Sequence, residues 1–160
     1  MYSTAVIIPT CGIYPNLSIC MESMFTTCSE DTLFVFSINP SEKDEADHVI
    51  NEVRRFAKIT EIQQGRKINY IEVWSDAPIG FSRAVNKGYE KLLEHVGGIA
   101  NLPEMIIVAN DDVQVGRGWI EGFKNTLNKE YMQTDAAYQN ENAKIPQDEY
   151  NKIGVVVPVS

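Results

Sequence analysis

Two neighbouring carboxylates follow an apolar run in the last third of the chain. Asn110, Asp111 and Asp112 come directly after residues 105–109 (MIIVA), which are typical of a buried strand. Adjacent carboxylates repel and raise each other's pKa, and a hard divalent cation relieves that repulsion. Mg²⁺ or Mn²⁺ binds one or two carboxylates and completes its shell with water and substrate phosphates. The pattern predicts a site for Mn²⁺ or Mg²⁺ that neutralises a leaving diphosphate, with Asp112 and Asp111 as ligands.

The same three residues also have a purely structural interpretation. Asp and Asn are frequent in turns and at helix caps because their side chains form local hydrogen bonds. Taken alone, the acidic pair favours a turn or a cap. The strands and helices that precede the acidic pair make a metal site more plausible, because they determine which edge of the fold the carboxylates occupy.

Apolar runs and helix-like apolar stripes alternate along the chain. Predicted strands cover residues 5–8, where Pro9 is expected to end the strand, and residues 33–38, 68–74, 105–109 and 153–159. Predicted helices cover residues 17–28, 46–57 and 84–96, the last stopped by Gly97-Gly98, and a fourth begins at Trp119. This alternation predicts a single α/β domain over residues 1–160, with a mostly parallel, Rossmann-like sheet and helices on both faces.

In such a sheet, ligands bind beyond the carboxyl ends of the strands, near the point where the strand order reverses. The candidates therefore lie just after a predicted strand or in the first turns of the helix that follows. Those that follow a predicted strand are Thr10, Asn39, Ser41, Asp76, Asn110, Asp111 and Asp112, with Asp112 and Asp111 as the predicted metal ligands.

Most of these candidates also have an ordinary structural role open to them. Thr10 is as well suited to local capping as to a nucleoside contact, and Asn39 to forming a turn. Asp76 is suited to capping the helix that begins near Gly80. Arg83 is the best-placed cation for an anionic ligand at this edge, yet it is also typical of a solvated helix surface.

Several other site types are absent from the sequence. The turn after the first strand has one glycine, so it is not the GxGxxG of a dinucleotide site, and neither a GxxxxGK[ST] nor a GxSxG motif occurs. Cys11 has no identifiable base for nucleophilic catalysis. Three cysteines without a CxxC pair argue against structural zinc and favour reduced thiols in a cytoplasmic setting.

Charge and hydropathy restrict the partners. The formal net charge is −8, which disfavours a nucleic-acid partner because such proteins need a basic surface. A phosphate-bearing ligand remains compatible if a metal ion and helix N-termini receive it. No apolar run approaches the roughly 20 residues of a membrane span.

Six segments of the sequence resemble the family 2 GT-A glycosyltransferases, especially their rhamnosyltransferase-like members. Their order and spacing match the family over nearly the whole chain. The segments are residues 6–10 (VIIPT), 17–24 (LSICMESM), 39–41 (NPS), 80–88 (GFSRAVNKG), 110–113 (NDDV) with 118–120 (GWI), and 153–158 (IGVVVP).

The resemblance implies a GT-A fold, a nucleotide-diphosphate sugar donor, Mn²⁺ or Mg²⁺, and inverting transfer to the hydroxyl of a glycan or other acceptor. The donor-binding residues that it implies are Pro9, Thr10, Asn39, Ser41, Asp76, Arg83, Asn86, Asn110 and Asp111. Ile38 stands where the family often has an acidic residue that contacts the base. Asn110 occupies the first acidic position of the family's DXD motif, which makes Asp112 the principal metal ligand. The alternatives are a non-catalytic nucleotide-sugar-binding domain and a sugar nucleotidylyltransferase, although the latter needs a glycine-rich basic loop after the first strand.

The catalytic base of that family lies beyond the last matching segment. We therefore expect the chain to be the donor-binding part of a longer enzyme and to transfer sugar poorly by itself. If the chain did supply the base, the carboxylates that follow the metal motif would be the candidates. These are Asp135, Glu141, Asp148 and Glu149, in a polar stretch predicted to be a mobile loop.

Overall fold

A computed structural model describes residues 1–12, 16–40 and 43–126 of the chain. The chain divides into two compact units, Met1–Arg117 and Gly118–Ser160, and a single domain over residues 1–160 stays a prediction. The elements of the first unit are β1 (Thr4–Thr10), α1 (Asn16–Thr27), β2 (Thr32–Ile38), α2 (Lys43–Gln64), β3 (Asn69–Trp74), α3 (Phe81–Val96), a short 3₁₀ turn (Ile99–Asn101) and β4 (Met105–Val108).

The four strands form one parallel sheet in the order β3-β2-β1-β4. Thr4 of β1 pairs with Thr32 of β2 and with Met105 of β4, so β1 has a partner on each side. The strand order reverses at β1, because β2 and β3 lie on one side of it and β4 on the other. The predicted α/β, Rossmann-like fold is confirmed, and the β1/β4 junction is the position where such sheets bind ligands.

The helices cover both faces of the sheet, as predicted. On one face, Phe25 of α1 packs edge-on against Phe34 of β2, with ring centroids 4.9 Å apart, and α1 also packs against α2. On the other face, Leu92 of α3 joins a buried cluster with residues of β1 and β2. Every residue of β1 and β2 is buried, which explains why residues 5–8 of β1 and 33–36 of β2 are continuous apolar runs rather than alternating ones.

Gly88 allows α3 to approach the sheet closely. A Cβ atom at this position would lie 2.7 Å from Cγ2 of Ile7, well inside normal contact. The helix then ends at Gly97, whose φ of 80° is left-handed, and the amide of Gly98 donates to the carbonyl of Leu93 over 2.9 Å. This is the glycine stop that the sequence predicts at Gly97-Gly98.

Pro9 does not end β1, contrary to the prediction. The strand continues to Thr10, and Pro9 pairs with Ser37 of β2. The carbonyl of Ile7 accepts a hydrogen bond from the amide of Ala109, so Ile7, and Pro9 two residues on, direct their backbone groups towards the β4 side. The ladder with β4 stops at Ile7, so no strand partner is needed where proline lacks its N–H.

Helix α2 is longer than its predicted apolar stripe, which covers residues 46–57. It spans Lys43–Gln64 and ends at Gly65, where φ is +67°. Val49, Ile50, Val53 and Ala57 of the stripe are buried, and so is Thr60 one turn further, while the next residue suited to stopping a helix is this glycine.

In the second unit, residues 119–126 are helical, as expected for a helix that begins at Trp119. The rings of Trp119 and Phe123 meet edge to face with centroids 6.0 Å apart. The strand predicted at residues 153–159 lies outside the described residues. Within those residues, no helix combines the length and apolar character that crossing a membrane requires.

Candidate functional site

The acidic cluster forms a turn at the carboxyl end of β4. Asp111 and Asp112 are its central residues, and the amide of Val113 lies 3.5 Å from the carbonyl of Asn110. Asn110 and Asp112 are exposed, whereas Asp111 is half-buried. The residues therefore form a turn, as the structural interpretation predicts. Within this turn the side chain of Asp112 is exposed to solvent, as binding of a metal ion would also require.

Thr10 joins the end of β1 to this turn. Its hydroxyl donates to Oδ2 of Asp111 over 2.6 Å and accepts the amide of Gly12 over 3.0 Å. Thr10 is only 3% exposed, and its single O–H is already used. The structure therefore places Thr10 beneath the turn, where its hydroxyl holds Oδ2 of Asp111.

Helix α1 holds the same segment from a second direction. The thiol of Cys20 donates to the carbonyl of Asn110 over 3.7 Å, and the hydroxyl of Ser23 accepts the amide of Val115 over 3.2 Å. Sequence reasoning found Cys20 only as part of the apolar stripe of α1 and assigned no contact to Ser23. The only signal was their i, i+3 spacing, which places both residues on one side of the helix.

The protonation of Cys20 reflects the charge of the turn. Burial, followed by the negative charges of Asp111 and Asp112, raises the pKa of the Cys20 thiol to about 12 from its ordinary value of 9.0. The thiol is consequently neutral at physiological pH. In the ligand-free chain the thiol therefore packs beneath the turn and donates a hydrogen bond to it.

At the ends of β2 and β3, the polar side chains bind backbone instead. Oδ1 of Asn39 accepts the amide of Ile79 over 2.8 Å, which ties the end of β2 to the segment before α3. Lys87 of α3, which the sequence did not single out, donates to the carbonyl of Trp74 at the end of β3. At the ends of β2 and β3, these two contacts join a side chain to a backbone group. Neither of them involves a carboxylate.

Asp76 does not have the capping role considered for it. Helix α3 has Gly80 as its N-cap, with φ 77° and no side-chain cap hydrogen bond, while Asp76 is exposed. Arg83 and Asn86 are exposed in the first two turns of α3. Their side chains are therefore accessible to an anion, but neither of them belongs to the Thr10–Asp111 contact.

Two groups of predicted residues have no direct place in the exposed site. Pro9 is buried within β1 and contributes to the strand rather than to a surface. The remaining predictions lie outside the described residues: Ser41, and the four carboxylates considered for the base, Asp135, Glu141, Asp148 and Glu149.

The side chains at the β4 turn suit a particular kind of metal binding. Among the described residues, no group of three or more His, Cys, Asp or Glu side chains is arranged to hold a metal ion. Two neighbouring carboxylates, one exposed and one half-buried, fit Mg²⁺ or Mn²⁺, which retain waters and take their other ligands from phosphate. They do not fit a closed structural zinc site, which needs four protein ligands.

A separate open groove of about 630 Å³ follows the edge strand β3. It contains the ion pair between Arg54 of α2 and Glu72 of β3, with N and O atoms 3.1 Å apart. None of the predicted site residues lines it. The groove therefore offers no support for a donor site, and the acidic turn lies on a different pair of strands.

Comparisons of the chain with protein-family models, with curated proteins and with solved structures found no match. The resemblance to the family 2 glycosyltransferases therefore stays a prediction, and the chemistry of the site is argued from its geometry.

Proposed function

We propose that the chain is the donor-binding part of an inverting, metal-dependent glycosyltransferase. In this proposal a nucleotide-diphosphate sugar binds at the carboxyl edge of the sheet, above β1 and β4, and Mn²⁺ or Mg²⁺ links its diphosphate to the protein. The sugar passes to a hydroxyl of a glycan or another acceptor. The sequence motifs suggest this activity, and the described fold and the acidic turn are compatible with it.

The observation that carries the proposal is the hydrogen bond between Thr10 and Asp111 at the β1/β4 junction. It brings the ends of two strands together at the point where the strand order reverses. It also leaves the exposed carboxylate of Asp112 next to a carboxylate that is already fixed. A pair of acidic side chains at this position is suited to a cation that a phosphate ligand shares.

The small number of protein ligands has a consequence for affinity. Two carboxylates hold Mn²⁺ or Mg²⁺ weakly without further oxygen ligands, and a diphosphate supplies those oxygens. A chain of net charge −8 also repels a free diphosphate unless a cation accompanies it. We therefore propose that metal and donor bind together, each with low affinity in the absence of the other.

The accessible residues of α3 complete the proposed donor site. Arg83 is the proposed cation for the diphosphate, and Asn86 one turn further is a proposed polar contact for the donor. When bound, the metal ion neutralises charge that develops on the leaving diphosphate. Transfer also needs a base that removes the proton of the acceptor hydroxyl.

Isothermal titration calorimetry with a panel of nucleotide-diphosphate sugars tests the proposal. At least one donor is expected to bind in Mn²⁺ and to lose its heat signal in EDTA, and Mn²⁺ without donor is expected to give little heat. Equal affinity with and without metal would contradict the metal bridge, and no binding by any donor would contradict the function. Assays of donor hydrolysis and acceptor glycosylation then distinguish a transferase from a binding domain without activity.

A further inference from the structure

Asp112 lies between two anchored positions of the chain. On one side, Asp111 receives the hydroxyl of Thr10 from β1. On the other, the amide of Val115 donates to the hydroxyl of Ser23 from α1. The intervening residues 112–114 belong to no helix or strand, and the backbone contact between them and the turn is the one from the amide of Val113 to the carbonyl of Asn110, over 3.5 Å.

The hydroxyl of Ser23 is well oriented for its part in this arrangement. It donates to the carbonyl of Cys20, one turn earlier in α1, over 2.9 Å, which uses its only proton. The oxygen then presents a lone pair to the amide of Val115 at 3.2 Å. A serine held in this way acts as a fixed acceptor, and its place on a packed helix makes it a rigid support for the segment.

We infer that Ser23 is a positioning residue that holds residues 112–115 so that the carboxylate of Asp112 stays at the metal-binding rim. The inference rests on the proposed function for its metal-binding consequence. The anchoring itself is a property of the protein without ligand. Ser23 touches neither the metal nor the donor in this proposal, and it acts through the backbone of Val115.

The anchoring is tested first in the ligand-free chain, by amide hydrogen exchange measured with NMR. In Ser23→Ala, exchange at Val115 is expected to accelerate about fivefold or more, because the lost hydrogen bond is worth roughly 1 kcal/mol. Ser23→Thr keeps the hydroxyl and is expected to restore protection. Thr26→Ala is the matched control, because its exposed hydroxyl bonds only to carbonyls of α1 itself. Unchanged exchange at Val115 in Ser23→Ala overturns the inference.

The consequence for binding is tested by calorimetry with Mn²⁺ and the donor that the wild-type chain binds best in the panel. Ser23→Ala is expected to weaken metal-dependent binding about threefold to tenfold, with Ser23→Thr and Thr26→Ala close to wild type. Faster exchange with unchanged affinity would overturn the link to Asp112. If the wild-type chain binds no donor at all, the proposed function fails, while the exchange experiment still decides whether Ser23 anchors the turn.

Discussion

The carboxyl edge of the sheet contains two regions that differ in how their polar side chains are used. At β1/β4, Thr10 binds a carboxylate, and that pairing leaves Asp112 exposed beside it. At β2/β3, Asn39 binds the amide of Ile79 in the segment before α3, and Lys87 binds the carbonyl of Trp74 at the end of β3. The first region contains two neighbouring carboxylates whose charge a cation can neutralise. In the second region, the polar side chains hold backbone segments in place. Polar residues that follow strands therefore do not all have the same role. Their hydrogen-bond partners distinguish a candidate ligand-binding residue from one that only holds the backbone in place.

Asp112→Ala is the strongest test of this difference. The variant is expected to weaken metal-dependent donor binding about a hundredfold or more, because it removes the exposed carboxylate from a site with only two. Thermal unfolding should stay close to wild type, since exposed side chains away from buried networks change stability by about 0.5 kcal/mol or less. Asn110→Ala is the control and should do less. An unfolded Asp112→Ala protein would show that the residue is a structural cap.

Thr10→Val should have the next largest effect. Valine keeps the shape but leaves Oδ2 of Asp111 and the amide of Gly12 without their partner, at a cost of about 1–3 kcal/mol in unfolding free energy. Metal-dependent affinity is expected to fall about tenfold, because one carboxylate of the pair is no longer fixed. Urea unfolding and calorimetry measure the two effects, with Thr10→Ser as the control that keeps the hydroxyl. Lower stability with unchanged affinity would assign Thr10 to the fold alone.

Asn39→Ala tests the second region. The amide of Ile79 loses its acceptor, so the unfolding free energy is expected to fall by about 1 kcal/mol. The ratio of donor affinities with Mn²⁺ and with EDTA should stay at the wild-type value, because this region has no role in holding the metal. Asp76→Ala, at an exposed position, is the matched control for stability. A loss of metal dependence in Asn39→Ala as large as that in Thr10→Val would remove the distinction between the two regions.

The smallest expected effect is the pH dependence due to Cys20. Its pKa is raised in the folded chain, so its contribution to stability is complete below about pH 9 and is lost as the pH rises towards 12. Between about pH 8 and about pH 9.5, the wild-type chain should lose roughly 1 kcal/mol more unfolding free energy than Cys20→Ala, because the thiol ionises only in the unfolded chain over this range. Urea unfolding at the two pH values measures this difference. Equal losses in the two proteins would show that the thiol is not buried beneath the acidic turn.

The sequence predicted the parts of the fold that depend on local pattern. The four described strands and the stop at Gly97-Gly98 follow from apolar periodicity and turn chemistry. The prediction that Pro9 ends β1 was wrong. Whether proline ends a strand depends on whether a neighbouring strand needs an N–H at that position, and this is a property of the assembled sheet.

The contacts that define the site were beyond local pattern. Thr10 and Asp111 are 101 positions apart, and Ser23 and Val115 are 92 apart. Their meeting requires the strand order β3-β2-β1-β4, whereas alternation of strands and helices implies a parallel sheet without fixing the order of its strands. The sequence therefore indicated that the acidic residues follow the fourth strand, but not which side chains they contact.

The central position of β1 has a consequence for synthesis of the chain. β1 is made first, and β2 and β3 follow soon after, but β4 begins only at Met105. Until then, one side of a wholly buried, apolar strand has no neighbour, which is the kind of edge that promotes aggregation. Pairing of β1 with β4 is also the most distant strand pairing of the described sheet, so we expect it to limit the folding rate. The nascent chain is therefore most prone to aggregate just before β4 and the acidic turn that follows it are synthesised. Pairing of β4 with β1 then covers the exposed side of β1.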